Sequence, residues 1–405
     1  MTMFNAIRNL VAGPGPSRAD NEGNDTMNAN QLEAASSSID AKPGFKPFGS
    51  APVPLGVSGN PEDHQTIFGD IFEQVFFAPW EDGYSVVAYP ATFAAESATG
   101  ETFDEDSDYS DGDEDNPRTR VQYTTRVYDH LSTNVGSGVG QHGYPRLVNY
   151  LGRTNYGFRL ERLNPGPMPK EKPHPHKDNR VLALYWRWAL QALSAIVYLH
   201  AKGVILNGLS DQVIWLRGDY SVAISGLYNA GCAGLNIPGG SWGDTSIMSS
   251  NLKRPSSRSE DDCAETHAGT VKGDLFDWAT WVWRLMSCGQ DPTSYDLPDD
   301  YFKHEDLRRR CNERRQGIAN GKESAFPPLK EAYFGRIVHK AWTGQYDDAE
   351  LAMQELKETL AARGVSISGE YDDELIGYDW VNLVEVVRDG KGRNIRLQLR
   401  QDPVN

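Results

Sequence analysis

The chain has few cysteines, no long hydrophobic run and no excess of basic residues, and each absence argues against a class of protein. None of its four cysteines has the spacing of metal ligands, so we expect reduced thiols. No run of about eighteen apolar residues occurs, and we therefore expect no membrane span. The chain has 40 basic and 56 acidic residues and a net charge of −16. It therefore lacks the excess of basic residues that is typical of nucleic-acid-binding proteins. The cysteines are Cys232, Cys263, Cys288 and Cys311.

The first sixty residues are rich in Gly, Pro, Ser, Asn and Asp and poor in large apolar side chains. A segment of this composition cannot bury enough apolar surface to order itself, so we predict that residues 1–60 are disordered. Residues 1–19 contain Arg8 and Arg18 and no acidic residue, which faintly resembles a mitochondrial presequence. The alternative, which we favour, is the unstructured start of a cytoplasmic or nuclear protein.

A second unusual segment is strongly acidic. Ten Asp and Glu residues lie between Glu96 and Asp115, with no Lys or Arg among them. We predict that residues 95–117 form a low-complexity insertion that can attract basic segments of partner proteins. Ser110 has Asp113 three residues further on, the pattern that acidophilic kinases modify, and is therefore a candidate phosphorylation site.

The pattern of apolar residues predicts strands first and helices afterwards. Two strands are expected within Phe72–Tyr89 around the turn Glu81–Gly83, a helix over Thr124–Thr133, and strands over Arg146–Leu151 and Tyr156–Leu163. This order indicates an α+β fold. The later predicted elements are a helix at Val181–His200, strands at Val213–Leu216 and Ser221–Ile224, a helix at Asp274–Cys288, amphipathic helices between Asp306 and Arg363, and a hairpin after Val365.

The predicted helix over Val181–His200 is apolar around most of its circumference. Its polar positions fall at helical spacings on one stripe, which we expect to be its exposed side. They are Arg187, Gln191, Ser194 and Tyr198. Three tryptophans of the Asp274–Cys288 helix are expected to pack in the core. They are Trp278, Trp281 and Trp283.

Four linked segments resemble the protein kinase superfamily, and most closely the kinase-like proteins of filamentous fungi. They read HGYPRLVNYLGRTNYGFRLERLNPGPM, AIVYLHAKGVIL, TVKGDLFDWATWVWRLMSCGQDP and AFPPLKEAYFGRIVHKAWTGQYDDAELAMQEL. The resemblance implies a bilobal protein-kinase-like domain over residues 61–363. A small β-rich N-lobe would occupy 61–163 and a large α-helical C-lobe 164–363, followed by a C-terminal tail with a hairpin over 364–405.

The resemblance also implies where kinase chemistry would lie, and the required side chains are missing there. A kinase uses a Lys–Glu ion pair, an Asp that accepts the substrate proton, and an Asn and an Asp that hold magnesium. No Lys occurs anywhere from Pro47 to Pro169. The glycine-rich segment Gly136–Gly140 follows the lysine position instead of preceding it, which favours a flexible loop over a phosphate loop. The matched positions, in the order Lys, Glu, base and two metal ligands, are Ala88, Thr124, Gly208, Val213 and Gly226.

Other matched positions concern architecture and the adenine pocket. Leu160 matches the gatekeeper, and Glu161, Arg162 and Leu163 match the hinge. His200 matches a structural histidine. Asp274 matches a buried aspartate that binds the catalytic-loop backbone in that family, and the alternative for this residue is a simple helix N-cap.

These residues predict a pseudokinase that serves as a binding or scaffolding module. The alternative is a weak or atypical ATP-dependent serine/threonine kinase that uses relocated acids, Asp211 or Asp219; a decaying family copy is a third possibility. We expect no cofactor, although magnesium-free adenine binding at the hinge stays open. The expected partners are proteins, without nucleic acid or membrane.

Overall fold

The computed structural model describes residues 45–48, 51–54, 75–90, 117–133, 143–239, 269–298, 300–388 and 395–400. Within these ranges the protein is α+β, with seven α-helices and several small antiparallel sheets, as the sequence predicts. Two short strands, β1 (Phe45–Phe48) and β2 (Ala51–Pro54), pair inside the stretch predicted to be disordered. Both strands contain proline, which a two-stranded ladder tolerates because half of its N–H groups point away from the partner strand. The rest of residues 1–60 lies outside the described residues.

A four-stranded antiparallel sheet has the order β3–β4–β6–β5. Its central strand β4 is buried along its whole length because side chains pack on both of its faces. Gly157 begins β6 so close to β4 that a Cβ atom there would lie 2.2 Å from the carbonyl oxygen of Ala88. The strands are β3 (Val75–Pro79), β4 (Ser85–Pro90), β5 (Tyr150–Thr154) and β6 (Gly157–Glu161).

Helix α1 (Pro117–Thr133) packs against this sheet and is longer than the prediction of Thr124–Thr133. It begins at a proline, whose fixed φ suits the first turn and whose missing N–H would have no partner there anyway. The sequence prediction placed Pro117 in the acidic insertion and so missed the first two turns.

Helix α2 (Asn179–Ala201) is the central helix of the core. Asp178 caps its first turn by accepting a hydrogen bond from the backbone N–H of Arg180. The predicted polar stripe is not an exposed face: Arg187, Gln191 and Ser194 are all buried. By length and composition α2 could span a membrane, but 83% of the relevant window is buried inside the protein.

Short strands and a 3-10 turn connect α2 to the helical part of the chain. The hairpin β9–β10 pairs with β7, and β8 pairs with β11. A 3-10 turn at Leu227–Asn229 contacts α1. The strands are β7 (Gly166–Pro167), β8 (Val204–Ile205), β9 (Ile214–Leu216), β10 (Val222–Ile224) and β11 (Gly231–Cys232).

Two of the remaining large helices, α3 and α6, pack on α2. Helix α3 (Val271–Met286) contributes the three predicted core tryptophans, all of them buried. Helix α4 (Glu305–Ala319) is largely exposed, whereas α5 (Gly335–Trp342) packs on α3 and α6 (Ala349–Ala361) packs on α2.

The C-terminal segment, residues 366–388 and 395–400, joins the same hydrophobic core. Leu375, Trp380 and Leu397 are buried members of the cluster that contains α2 and α3. Strands β14 and β15 form the expected hairpin. The elements are β12 (Ile367–Ser368), β13 (Glu374–Leu375), α7 (Trp380–Leu383), β14 (Val384–Arg388) and β15 (Ile395–Leu399).

Two ion pairs attach this segment to the rest of the fold, one buried and one with a partly exposed acid. Arg146 forms a bidentate pair with Asp373, at 2.7 and 2.8 Å. Arg187, in the middle of α2, contacts Glu374 at 2.7 Å and lies over the ring of Trp380. The supposed exposed stripe of α2 is therefore the docking face for the C-terminal segment.

Candidate functional site

The position matched to the kinase lysine is occupied by a small core residue. Ala88 lies in β4 opposite Phe77 on one side and Phe158 on the other, and it is fully buried. A methyl group in this setting provides packing and has no charge or hydrogen-bonding group to offer a phosphate.

Thr124 lies on the face of α1 turned towards the interior. Its hydroxyl donates to the backbone carbonyl of Arg120 at 2.8 Å and lies 3.5 Å from the carbonyl oxygen of Leu227. Leu227 directly follows Gly226, which adopts a left-handed conformation with φ of 54°. The structure thus brings Thr124 and Gly226 close together, and neither residue carries a carboxylate.

Gly208 and Val213 lie in the loop between β8 and β9, with Val213 as its last residue. Gly208 has a φ of 151°, which side-chain-bearing residues rarely adopt. The side chain of Val213 is buried, and its carbonyl accepts the backbone N–H of Ser225 at 2.7 Å. Both positions are used for backbone geometry and packing.

Asp274 organises the start of this loop. Its carboxylate accepts the backbone N–H groups of Leu206 and Asn207, each at 2.8 Å, and lies 2.8 Å from Nε2 of His200. The N-cap of α3 is Thr270, whose hydroxyl accepts the N–H of Gly273. The alternative interpretation of Asp274 as a simple N-cap is therefore wrong, because its side chain points inward to the loop.

The hinge positions form the end of β6 and the residues after it. Leu160 is fully buried, and the backbone N–H of Arg162 donates to the carbonyl of Tyr84 at 2.8 Å. The Glu161 carboxylate contacts Arg217 at 2.6 Å and accepts Nδ2 of Asn149 at 2.8 Å. Leu163 is half-buried. The contacts of Glu161 with Arg217 and Asn149 thus hold the end of β6 in place, and the sequence analysis did not predict them.

Both acids considered as substitutes have basic partners. Asp211 contacts Lys172 at 2.7 Å and accepts the indole N–H of Trp281 at 2.9 Å. Asp219 contacts Arg187 at 3.0 Å and accepts the hydroxyl of Ser221. Burial alone raises the pKa of Asp219, but the hydrogen bonds from Ser221 and the charge of Arg187 outweigh burial and hold this pKa below its usual value. A carboxylate of lowered pKa is a weaker general base.

Two cavities lie elsewhere in the described part of the molecule. The larger, of about 580 Å³, lies between α2, α6 and the turn that joins β12 to β13. The smaller, of about 340 Å³, lies between the end of α1, residues 143–149 and β5. None of the positions matched to kinase chemistry lines either cavity.

Some predictions fall outside the described residues, namely the candidate phosphorylation site Ser110 and the glycine-rich segment Gly136–Gly140. Across the ranges the structure does describe, no three His, Cys, Asp or Glu side chains group as a potential metal site. In the same ranges Cys232, Cys288 and Cys311 are free thiols.

No protein-family model matches the chain, and no curated protein matches it. The sequence resemblance and the geometry above are therefore the basis for any functional conclusion.

Proposed function

We propose that this chain is a pseudokinase: a protein of bilobal kinase-like architecture that binds other proteins and does not transfer phosphate. The four-stranded sheet with α1 would be the N-lobe, and α2 to α6 the C-lobe. The order of strands, the helix that packs on the sheet, and the loop tied to Asp274 all support this proposal.

The observation that carries the proposal is the set of side chains at the positions matched to the kinase residues, in β4 and in the loops after β8 and β10. Phosphoryl transfer depends on positioning and on cations that neutralise the charge of the phosphates. Ala88, Gly208 and Gly226 bring no charged group to this region. Asp274 and His200 keep the loop in shape, which supports a kinase-like architecture without phosphotransfer.

The second candidate is a weak or atypical serine/threonine kinase with relocated acids. Asp211 and Asp219 are the acids available, and each is held by a basic residue and further hydrogen bonds. Recruiting either acid would require breaking those contacts, which favours the binding function.

Ligand-induced thermal stabilisation tests the proposal, because a ligand that binds only the folded state raises the melting temperature. We expect no magnesium-dependent shift with ATP and no phosphate transfer to a general substrate. A shift without magnesium would indicate adenine binding at Glu161–Leu163 in a protein that still lacks phosphotransfer. A magnesium-dependent shift, together with phosphate transfer lost in Asp211→Asn or Asp219→Asn, would contradict the pseudokinase proposal.

A further inference from the structure

The larger cavity has the size and lining of a binding site. Its volume of about 580 Å³ lies within the range of known ligand sites, roughly 300 to 1,000 Å³. Val197 and Ala201 come from α2 and Met353 from α6, so the lining is mainly apolar. The sites that bind ligands in proteins combine such walls with a few polar groups, and here Glu350, Gln354 and Lys357 supply them.

Aromatic rings form the wall opposite α6. Tyr144 and Tyr198 stack with their centroids 4.1 Å apart, and Tyr371 meets Tyr144 edge-on at 4.6 Å. The hydroxyl of Tyr144 is hydrogen-bonded to Ser194, which fixes this wall to α2. Rigid tyrosine rings provide contact area at a low cost in side-chain entropy, which is why they are frequent in binding surfaces.

The surroundings of the cavity are acidic. Glu350 is an exposed lining residue, and Asp372 is exposed next to Tyr371. Burial and the neighbouring Glu370 carboxylate raise the pKa of Tyr371, so its hydroxyl stays neutral. Lys357 is the basic lining residue, and Asp372 lies 3.9 Å from its ammonium group. A second ammonium group, that of Lys202, lies 5.8 Å from the centre of the Tyr198 ring. Carboxylates thus outnumber ammonium groups around the cavity, by Glu350, Glu370 and Asp372 to Lys357 and Lys202.

We propose that this cavity is a docking site for a partner protein, which inserts an apolar or aromatic side chain flanked by Lys or Arg residues. The apolar walls accept the anchor, and the acidic rim selects the basic flanks by charge complementarity. This inference rests on the proposed binding function and specifies the chemistry of the partner.

Fluorescence polarisation with labelled short peptide pools tests the inference. One pool has Leu, Phe or Trp at its centre and Lys or Arg on both sides; the matched pool has Asp or Glu on both sides. We expect the basic pool to bind, and the acidic pool to bind at least about tenfold more weakly. Failure of the basic pool to bind, or equal binding of both pools, would overturn the inference.

Two variants locate the binding, each with a control on the same surface. Tyr371→Ser removes part of the aromatic wall, and Glu350→Lys reverses a rim charge; each should weaken binding of the basic pool about tenfold. Leu351→Ser on α6 and Asp347→Lys just before this helix are exposed changes outside the cavity lining and should leave affinity within about twofold. Glu350→Lys alters only an exposed side chain, so it remains informative if Tyr371→Ser fails to fold. Unchanged affinity in Glu350→Lys would contradict the proposed site.

Phosphotransfer is measured separately on the same protein. If the peptides do not bind and no phosphate is transferred, only the cavity inference is overturned. Phosphate transfer overturns the pseudokinase proposal whatever the peptides do.

Discussion

At the scale of single residues, Asp274 shows how one buried carboxylate can hold the shape of a loop. It satisfies two backbone amides of the loop after β8 and one imidazole nitrogen, while itself being almost fully buried. Gly269 lies so close to this loop that a Cβ atom there would overlap the side chain of Asn207. Loop shape is therefore specified by several residues together.

Replacing Asp274 with Ala should lower the free energy of unfolding by about 1–3 kcal/mol, because two buried amides lose their acceptor. Thermal or denaturant unfolding measures the change. Asp347→Ala is the matched control, since Asp347 is exposed and its ion pair with Lys272 lies at the surface. An Asp274→Ala protein with the stability of the control would show that the loop amides find other partners.

At the scale of secondary-structure elements, the C-terminal segment is the part of the fold that differs most from the sequence expectation. Arg146 and Asp373 are both largely buried, and Glu374 reaches Arg187 on α2. Removing one partner of a buried pair leaves an uncompensated charge, whereas replacing both by apolar residues often restores stability.

Asp373→Ala should therefore cost about 3 kcal/mol of stability, because Arg146 would lose its bidentate partner and keep only Glu374, whose carboxylate lies 3.5 Å from it. The double variant Arg146→Met with Asp373→Leu should recover much of that loss. Asp372→Asn, at the exposed neighbour, serves as control and should change stability little, because Asn tolerates the left-handed backbone with φ of 49° that Asp372 adopts. Equal stability of Asp373→Ala and Asp372→Asn in urea unfolding would refute a stabilising role for this pair.

Features formed by neighbouring residues could be predicted from the sequence, whereas features formed by residues far apart in the chain could not. Local periodicity identified α2, the core tryptophans of α3 and the β14–β15 hairpin, because each of these patterns lies within a short stretch of sequence. It misassigned Arg187 and Gln191 to an exposed face, since their partner Glu374 lies more than 180 residues away. The contact between Glu161 and Arg217 was missed for the same reason. The absence of Lys and Arg from residues 364–387 was the one available hint that these acids require basic partners elsewhere.

At the scale of the whole molecule, charge is distributed unevenly. The net charge of −16 includes ten acids between Glu96 and Asp115. That segment lies outside the described residues, and its composition predicts that it contributes no buried apolar surface. The folded part should therefore hold its stability without it.

Replacing Glu96–Asp115 with a Gly-Ser linker should leave the melting temperature nearly unchanged. A variant that keeps the length but exchanges the ten acids for Ser and Asn separates the effect of charge from that of length. Differential scanning calorimetry provides the measurement. A marked drop in either variant would mean that the acidic segment docks on the folded part. The wild-type protein should also gain phosphate at Ser110 when an acidophilic kinase is added.

The C-terminal ion pairs have a consequence for how the protein is made. Arg146 and Asp373 are 227 residues apart, and Arg187 and Glu374 are 187 apart. Chains are synthesised from the N-terminus, and their domains begin to fold during synthesis. Both arginines therefore leave the ribosome long before Asp373 and Glu374 are translated. Until then, the face of α2 that contacts the C-terminal segment stays uncovered. A chain released before Asp373 is translated would keep Arg187 paired with Asp219 but would leave Arg146 in the interior without its carboxylate partners Asp373 and Glu374. Such a chain is a natural target for cellular quality control.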